Sequence, residues 1–195
     1  MAAKTKPSKR DAILDAMLDL VVERGFHDAP MSLVAQRSGA SAGVIYHYFP
    51  NKDGLIRALF ERVESIKHEA FFKGHSDRLS PHEALLQMWV NAYDFYRTHP
   101  KEARFLEQYL SSPYCKSDDP EKQVQGKRIQ DPAVKQVVKW LRPKKHGGLL
   151  KDLPPEAINS LTLGLAATLA KSSANFPRSK LKEIAEAVWT AIADD

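Results

Sequence analysis

Apolar residues return along this chain every three or four positions, from Leu14 to Ile192, and no stretch of useful length alternates apolar with polar. That spacing lines one face of a helix and offers a pleated strand nothing to bury, so the chain is confined to helices packed against helices. Glycine and proline divide the pattern into segments. Ser8 can cap a helix with Asp11 three residues on, and Leu14, Met17, Leu18, Val21 and Val22 then share one face as far as Gly25. A second short helix should span Pro30 to Ser38, with Met31, Val34 and Ala35 inward and Gly39 closing it. Ser41 caps a third, to about Tyr48, and Asn51 caps a longer fourth with Leu55, Ile56, Leu59, Phe60, Val63 and Ile66 in its stripe.

Beyond the polar break from Gly74 to Asp77, Ser80-Pro81-His82-Glu83 combines an N-cap, a first-turn proline and a capping-box acid, and predicts a fifth helix to about Thr98. Pro100 starts a sixth, whose Phe105, Leu106, Tyr109 and Leu110 recur at helical spacing. The stretch from Ser111 to Gln130 is polar and reads as loop. Asp131-Pro132 opens a helix through Leu141, and Arg142 to Gly148 is a turn rich in Lys and Gly. Two helices remain, about Pro155 to Asn175 and Ser179 to Ala193. The expected fold is all-α, with about nine helices and no internal repeat.

At 195 residues the chain can bury a real core without staples. Its only cysteine, Cys115, permits no internal disulfide and no cysteine-rich zinc site, which points to a reducing compartment. The opening MAAKTKPSKRD has charges with no apolar stretch behind them, and no later segment approaches membrane-spanning length, so a soluble, cytoplasmic protein is expected. The net charge of +5 is compatible with a polyanionic partner without establishing one. Lys4, Lys6, Lys9 and Arg10 crowd the first ten residues, either as a solvated terminus or as a mobile arm on DNA.

The informative stretch is Ser38 to Leu55, SGASAGVIYHYFPNKDGL. A short helix, a tight glycine-containing turn and a second short helix form the unit that presents its second helix to the DNA major groove. Ala42, Gly43 and Val44 fall in the first turn of that helix, where a bulky side chain would hold the backbone away from base edges, and Ala42 and Val44 can meet thymine methyl groups. Tyr46, His47 and Tyr48 carry donors able to reach phosphates, while Ser41 and Lys52 stand at helix N-termini, where anions are favoured. By spacing alone Tyr46, Tyr48 and Phe49 read as core aromatics. Their combination with Gly43, Asn51 and Lys52 turns Tyr46 and Tyr48 outward and leaves Phe49 in the core.

At Ser38-Gly39-Ala40-Ser41, Ala42-Gly43-Val44-Ile45-Tyr46, His47-Tyr48-Phe49 and Asn51-Lys52-Asp53, the chain resembles the N-terminal domain of the TetR family of repressors. Gly25-Phe26 and Leu33-Val34-Ala35 also fit, and the likeness covers roughly residues 8 to 60. It implies a three-helix helix-turn-helix DNA-binding domain over residues 1–52. A C-terminal antiparallel helical bundle over 53–195 would sense a ligand and form the dimer. It further implies phosphate contacts from Ser41, Tyr46, His47 and Lys52, base or near-base contacts from Ala42, Gly43, Val44 and Tyr48, and a core role for Ile45 and Phe49. Two departures stand out. Pro30 occupies a place where many members cap the second helix with Ser or Thr, so a phosphate contact there is lost or passes to Ser32, and Ala42 replaces a longer polar side chain that often reads a base.

In this family the C-terminal part forms an effector pocket, so by resemblance Phe71, Met88, Trp89, Tyr93, Tyr96, Phe105, Tyr109 and Tyr114 line a cavity for an apolar or aromatic small molecule. Residue by residue, a plain aromatic core is the competing reading. The last two helices carry Leu161, Leu165, Leu169, Ile184, Val188, Trp189 and Ile192, with small residues that permit close approach, and by resemblance they make a four-helix homodimer interface. The expected partners are double-stranded operator DNA, a small-molecule effector and a second copy, with no membrane. The expected function is a repressor that an effector releases from its operator.

Other classes fare worse. There is no phosphate-binding glycine loop, no His-Glu-x-x-His pair and no nucleophile motif beside a base, so no enzyme is expected. Glu64, His68, His75 and His82 would suit a metal sensor only if they converged, and their spacing crosses a loop, so neither metal nor cofactor is expected. A nucleoid-organising or adaptor protein that keeps the DNA domain but binds no effector remains the rival. A fully packed C-terminal core would favour it.

Overall fold

The computed structural model describes residues 8–76, 78–115 and 131–194. Besides two single 3₁₀ turns, nine helices run through the described residues: α1 (Lys9–Arg24), α2 (Met31–Ser38), α3 (Ala42–Tyr48), α4 (Lys52–Phe71), α5 (Pro81–Thr98), α6 (Pro100–Leu110), α7 (Pro132–Trp140), α8 and α9 (Arg178–Ile192). Helix α8 is continuous but changes winding, with α-helical Pro155–Asn159, a π-turn at Ser160–Gly164 and α-helical Leu165–Lys171. No strand forms among the described residues, where Leu150 makes only isolated bridges to Pro143 and Ala193. The all-helical expectation holds. The ends differ slightly: Pro30 is the cap of α2 rather than part of its first turn, and α8 stops at Lys171 rather than Asn175. Lys4, Lys6 and the polar stretch 116–130 lie outside the described residues.

The capping residues act as their side chains dictate. Ser8 Oγ accepts from the Asp11 N–H at 3.1 Å, and Asn51 Oδ1 accepts from the Gly54 N–H at 2.8 Å. At α5 the reciprocal box is complete, with Ser80 Oγ accepting from the Glu83 N–H and Glu83 Oε2 accepting from the Ser80 N–H at 2.9 Å. That backbone bond, with the Ser80 hydroxyl, holds the Glu83 carboxyl below its ordinary pKa.

The described residues within Met1–Ser65 and Lys101–Glu121 form one compact unit, and those within Ile66–Pro100 and Lys122–Asp195 form another. In the first, Leu14, Met17 and Val21 of α1 are fully buried, as are Val34, Ile45, Leu55 and Leu59. Helix α6 also belongs to this core. Phe60 stacks on Tyr109 with ring centroids 4.2 Å apart, and Phe26 packs on Phe105 and Tyr114 at 5.7 and 5.2 Å. Arg37 bridges to Glu23 and Lys101 to Asp19, each at 2.6 Å, so α2 and α6 are both tied to α1.

In the second unit α5 packs against α8 and α9. Its Ala92 and Phe95 are buried, as are Ala166, Leu181 and Ala185 opposite. The segment after α7 then clasps the end of α9. Leu150 N–H donates to Arg142 O at 3.0 Å, Lys151 N–H to Ile192 O at 2.8 Å, and Asp194 N–H to Leu149 O at 2.9 Å. Gly148 makes this turn possible, because a Cβ there would stand 2.0 Å from Arg142 O. The clash is with backbone, which no rotamer relieves. Gly148→Ala should therefore cost about 1–3 kcal/mol, the usual range for overpacking, and lower the melting temperature by several degrees in a calorimetric scan. An unchanged melting temperature would show that the clasp yields freely.

Candidate functional site

Helix α3 has seven residues, too few to hold its shape alone, and its position comes from what it buries. Ile45 is 1% exposed and Phe49 3% exposed, and these two anchors turn the opposite face outward. Gly39 reverses the chain between α2 and α3 at φ 66° and ψ 13°, a left-handed conformation that side-chain-bearing residues resist. Ser41 then caps α3, its Oγ accepting from the Val44 N–H at 3.4 Å.

The outward face carries Ser41, Ala42, Gly43, Tyr46, His47 and Tyr48, all exposed, with Val44 half-buried. Tyr46 is 52% exposed and Tyr48 41%, unusual for large aromatic side chains next to a core. The His47 ring meets Tyr48 edge-on at 5.3 Å. Ser32 is exposed in the first turn of α2, whose cap Pro30 supplies no side-chain hydrogen bond. The guanidinium of Arg10 lies 5.4 Å over the Phe49 ring, which ties the start of α1 to the end of α3.

Lys52 has a structural role that no local pattern in the sequence shows. Its Nζ donates to Phe26 O at 2.6 Å, joining the first turn of α4 to the turn after α1. Partial burial pushes the Lys52 ammonium below its ordinary pKa, and the nearby carboxylates of Asp53 and Asp28 offset only part of that.

The second unit holds a cavity of about 590 Å³, within the range of small-molecule pockets. Of the aromatic and Met residues expected there, Phe71, Met88 and Trp89 line it. Tyr93 and Tyr96, on the same helix as Trp89, are not on its wall. Phe105, Tyr109 and Tyr114 are elsewhere altogether, in the aromatic core of the first unit with Phe26 and Phe60. Helical spacing shows that these side chains are buried but not against which neighbours. Aliphatic residues supply most of the wall, among them Val137, Leu150 and Ile158. Trp89 Nε1–H donates to Thr162 O at 3.0 Å, so the cavity wall is pinned to the π-turn of α8.

The residues expected at a dimer interface also divide. Leu161 is 39% exposed, and Leu165, Leu169 and Ile184 are partly exposed. Val188, Trp189 and Ile192 instead line the cavity, because the inward stripe of α9 runs through Leu181, Ala185, Val188 and Ile192. The histidines do not converge. His68 pairs with Asp131 at 3.3 Å and His82 with Glu186 at 2.8 Å, and among the described residues no three potential metal ligands come together. No helix among them is long and apolar enough to cross a membrane.

Residues 13–59 match the family model for bacterial regulatory proteins of the tetR family, and residues 83–193 match the tetracyclin repressor-like C-terminal domain. An uncharacterized HTH-type transcriptional regulator of Haemophilus influenzae is 31% identical over 194 residues, covering 97% of this chain and 98% of that one. This chain belongs to the TetR family of transcriptional regulators. The family consists of DNA-binding regulators and not of enzymes. The HTH-type transcriptional regulator BetI of Klebsiella pneumoniae is 40% identical, but over 65 residues, 33% of either chain. A TetR family transcription regulator of Marinobacter aquaeolei VT8 shares the fold, with a TM-score of 0.80 over 96% of both chains at 20% identity.

The Lys52 contact makes a prediction about this TetR-family head. With its folded pKa lowered, the unfolded chain holds the proton more tightly, so stability should rise with pH between the folded value and the ordinary lysine range. Lys52→Met should remove that alkaline rise and lower stability at neutral pH, where the bond to Phe26 O is lost. Urea unfolding of both proteins across the alkaline range reads the two effects. Parallel stability curves would mean that Lys52 feels no burial.

Proposed function

We propose that this regulator is a cytoplasmic homodimeric repressor that docks α3 in the major groove of its operator and lets go when a small molecule fills the C-terminal cavity. Residues 1–52 would be the DNA-binding part and 53–195 the sensing and dimerising part. Gly43 carries the proposal. It lies in the first turn of α3, where glycine is a poorer helix former than alanine, by up to about 1 kcal/mol in a helix interior, yet a Cβ added there meets nothing within 4 Å. The fold gives no reason for a glycine at this place. A surface approaching α3 from outside does, and in a helix-turn-helix that surface is DNA.

Around Gly43, Ala42 and Val44 would lie nearest the base edges, with Tyr48 beside them, while Ser41, Tyr46, His47, Lys52 and the weaker candidate Ser32 would position the phosphates. The cavity, with Phe71, Met88 and Trp89 on its wall, supports an effector over the rival of an adaptor with a packed core. Leu161, Leu165, Leu169 and Ile184 would form the dimer face. Operator binding follows the family, whereas the effector, the release and the dimer are the proposed steps.

Gly43→Ala is the decisive variant. It should melt at the same temperature as the parent or slightly higher, and bind an operator selected from random-sequence DNA at least tenfold more weakly, about 1.4 kcal/mol. Undiminished operator affinity would remove α3 from the interface. The dimer face is checked by Leu161→Glu with Leu165→Glu, which should sediment as a monomer. A dimer that survived both changes would place the interface elsewhere.

A further inference from the structure

We infer that Arg10 is a fixed DNA-phosphate contact, held in place by the Phe49 ring, and not one charge among several on a mobile basic arm. The inference rests on the proposed docking of α3 in the major groove. The Arg10 guanidinium lies 5.4 Å over the ring of Phe49, the residue that closes α3. Phe49 in turn neighbours Tyr48, with ring centroids 6.3 Å apart, and Tyr48 meets His47 at 5.3 Å. Arg10 therefore stands beside the C-terminal end of α3, next to the outward residues proposed to position phosphates.

The charges of α1 are sorted along its length. Asp15, Asp19 and Glu23 recur every four residues on one face, and each is paired with a cation from another helix, Arg62 of α4 at 2.8 Å, and Lys101 of α6 and Arg37 of α2 at 2.6 Å. Asp11, next to Arg10 in the first turn, accepts from the Ser8 hydroxyl at 2.6 Å. Arg10 is exposed and makes no ion pair among the described residues. An aromatic face attracts the cation through its quadrupole and leaves the guanidinium N–H groups for oxygen acceptors. A cation in the first turn of a helix stands at the unfavourable end of the dipole, an effect of the same small size as an exposed cation–π contact, so the fold gains little from this charge. A phosphate outside the fold would gain from it. Lys52, at the start of α4, already gives its Nζ to Phe26 O, whereas the donors of Arg10 are uncommitted. Holding the guanidinium on a buried ring also removes rotamer freedom before DNA arrives, freedom that a loose arm would lose on binding.

The test measures binding of full-length variants to the selected operator across a salt series, with a melting scan of each variant. Arg10→Met keeps an apolar cover over Phe49 and removes the charge. It should bind roughly tenfold more weakly at moderate salt, and the slope of log affinity against log salt should fall by about one per protomer. Arg10→Gln repeats the reading should the methionine variant melt early. Arg10→Lys should keep the slope yet lose affinity at every salt concentration, because an ammonium gives up the planar fork. Lys9, exposed in the same turn with no ring contact among the described residues, is the comparison, and Lys9→Met should change the slope by less than half as much. An equal loss of slope in Lys9→Met and Arg10→Met would mean a diffuse basic arm and overturn the inference. An unchanged slope in both Arg10→Met and Arg10→Gln would leave Arg10 as a cover for the core and overturn it too. Gly43→Ala, run in the same series, separates the two readings, since it should weaken binding with its slope intact. Weak binding by Gly43→Ala beside a parental slope for the Arg10 variants sinks this inference and leaves α3 in the groove. Parental binding by Gly43→Ala beside a reduced slope for Arg10→Met does the reverse.

Discussion

The burial of Ile45 and Phe49 sets the rotation of α3 about its own axis, and everything the N-terminal unit offers to a partner depends on it. A seven-residue helix has too few internal hydrogen bonds to outweigh the entropy of ordering its backbone. With two large apolar side chains inserted into the core it has one orientation, and the residues between and before them have no choice but to face out. Tyr46 and Tyr48 are exposed for this reason, although their chemistry would favour burial. Arg10 over the Phe49 ring and Lys52 on the Phe26 carbonyl then tie the ends of α1 and α4 to the same arrangement.

The C-terminal unit meets the opposite demand, since it must hold its shape around space. A packed core gains dispersion contacts that a cavity wall lacks. Backbone bonds supply part of the replacement here. The segment 149–151 and the end of α9 exchange main-chain hydrogen bonds, so Leu150, Val188 and Ile192 stay on the wall without side chains opposite to hold them. The indole of Trp89 does the same for α8 by accepting the π-turn as it stands and bonding the Thr162 carbonyl.

Much of the fold was legible because its signals are local. Ser8, Ser41, Asn51, Ser80 and Asp131 each cap the helix that their position announces, since a cap needs only a side chain within three residues of the amide it satisfies. The outward residues of α3 were legible from one dense motif. What failed to show were facts of long range. The spacing in α6 identifies Phe105 and Tyr109 as buried, yet it is the packing of α6 with α1 that sends them to the first unit and away from the cavity. Val188 and Ile192 read equally well as an outer or inner stripe, because periodicity defines a face and not its partner. The π-turn in α8 has no signature, for Ser160 to Gly164 fits a regular helix, and the bond from Lys52 to Phe26 joins residues 26 apart.

In the proposed effector mechanism, the energy that would link a cavity ligand to DNA is small beside what such a ligand would gain on entering. Burying one methylene group contributes about 0.8 kcal/mol, whereas a tenfold change in operator affinity needs about 1.4 kcal/mol. Only the difference in ligand affinity between the DNA-bound and free forms counts toward the coupling. A wall that covers two methylene groups more in one form than in the other therefore supplies a tenfold effect, with no new polar contact. An apolar cavity held by backbone bonds and one indole suits that requirement better than a polar site. Its wall can shift by fractions of an ångström without leaving a buried hydrogen-bonding group unpaired, a loss that would by itself cost as much as the coupling it was meant to deliver.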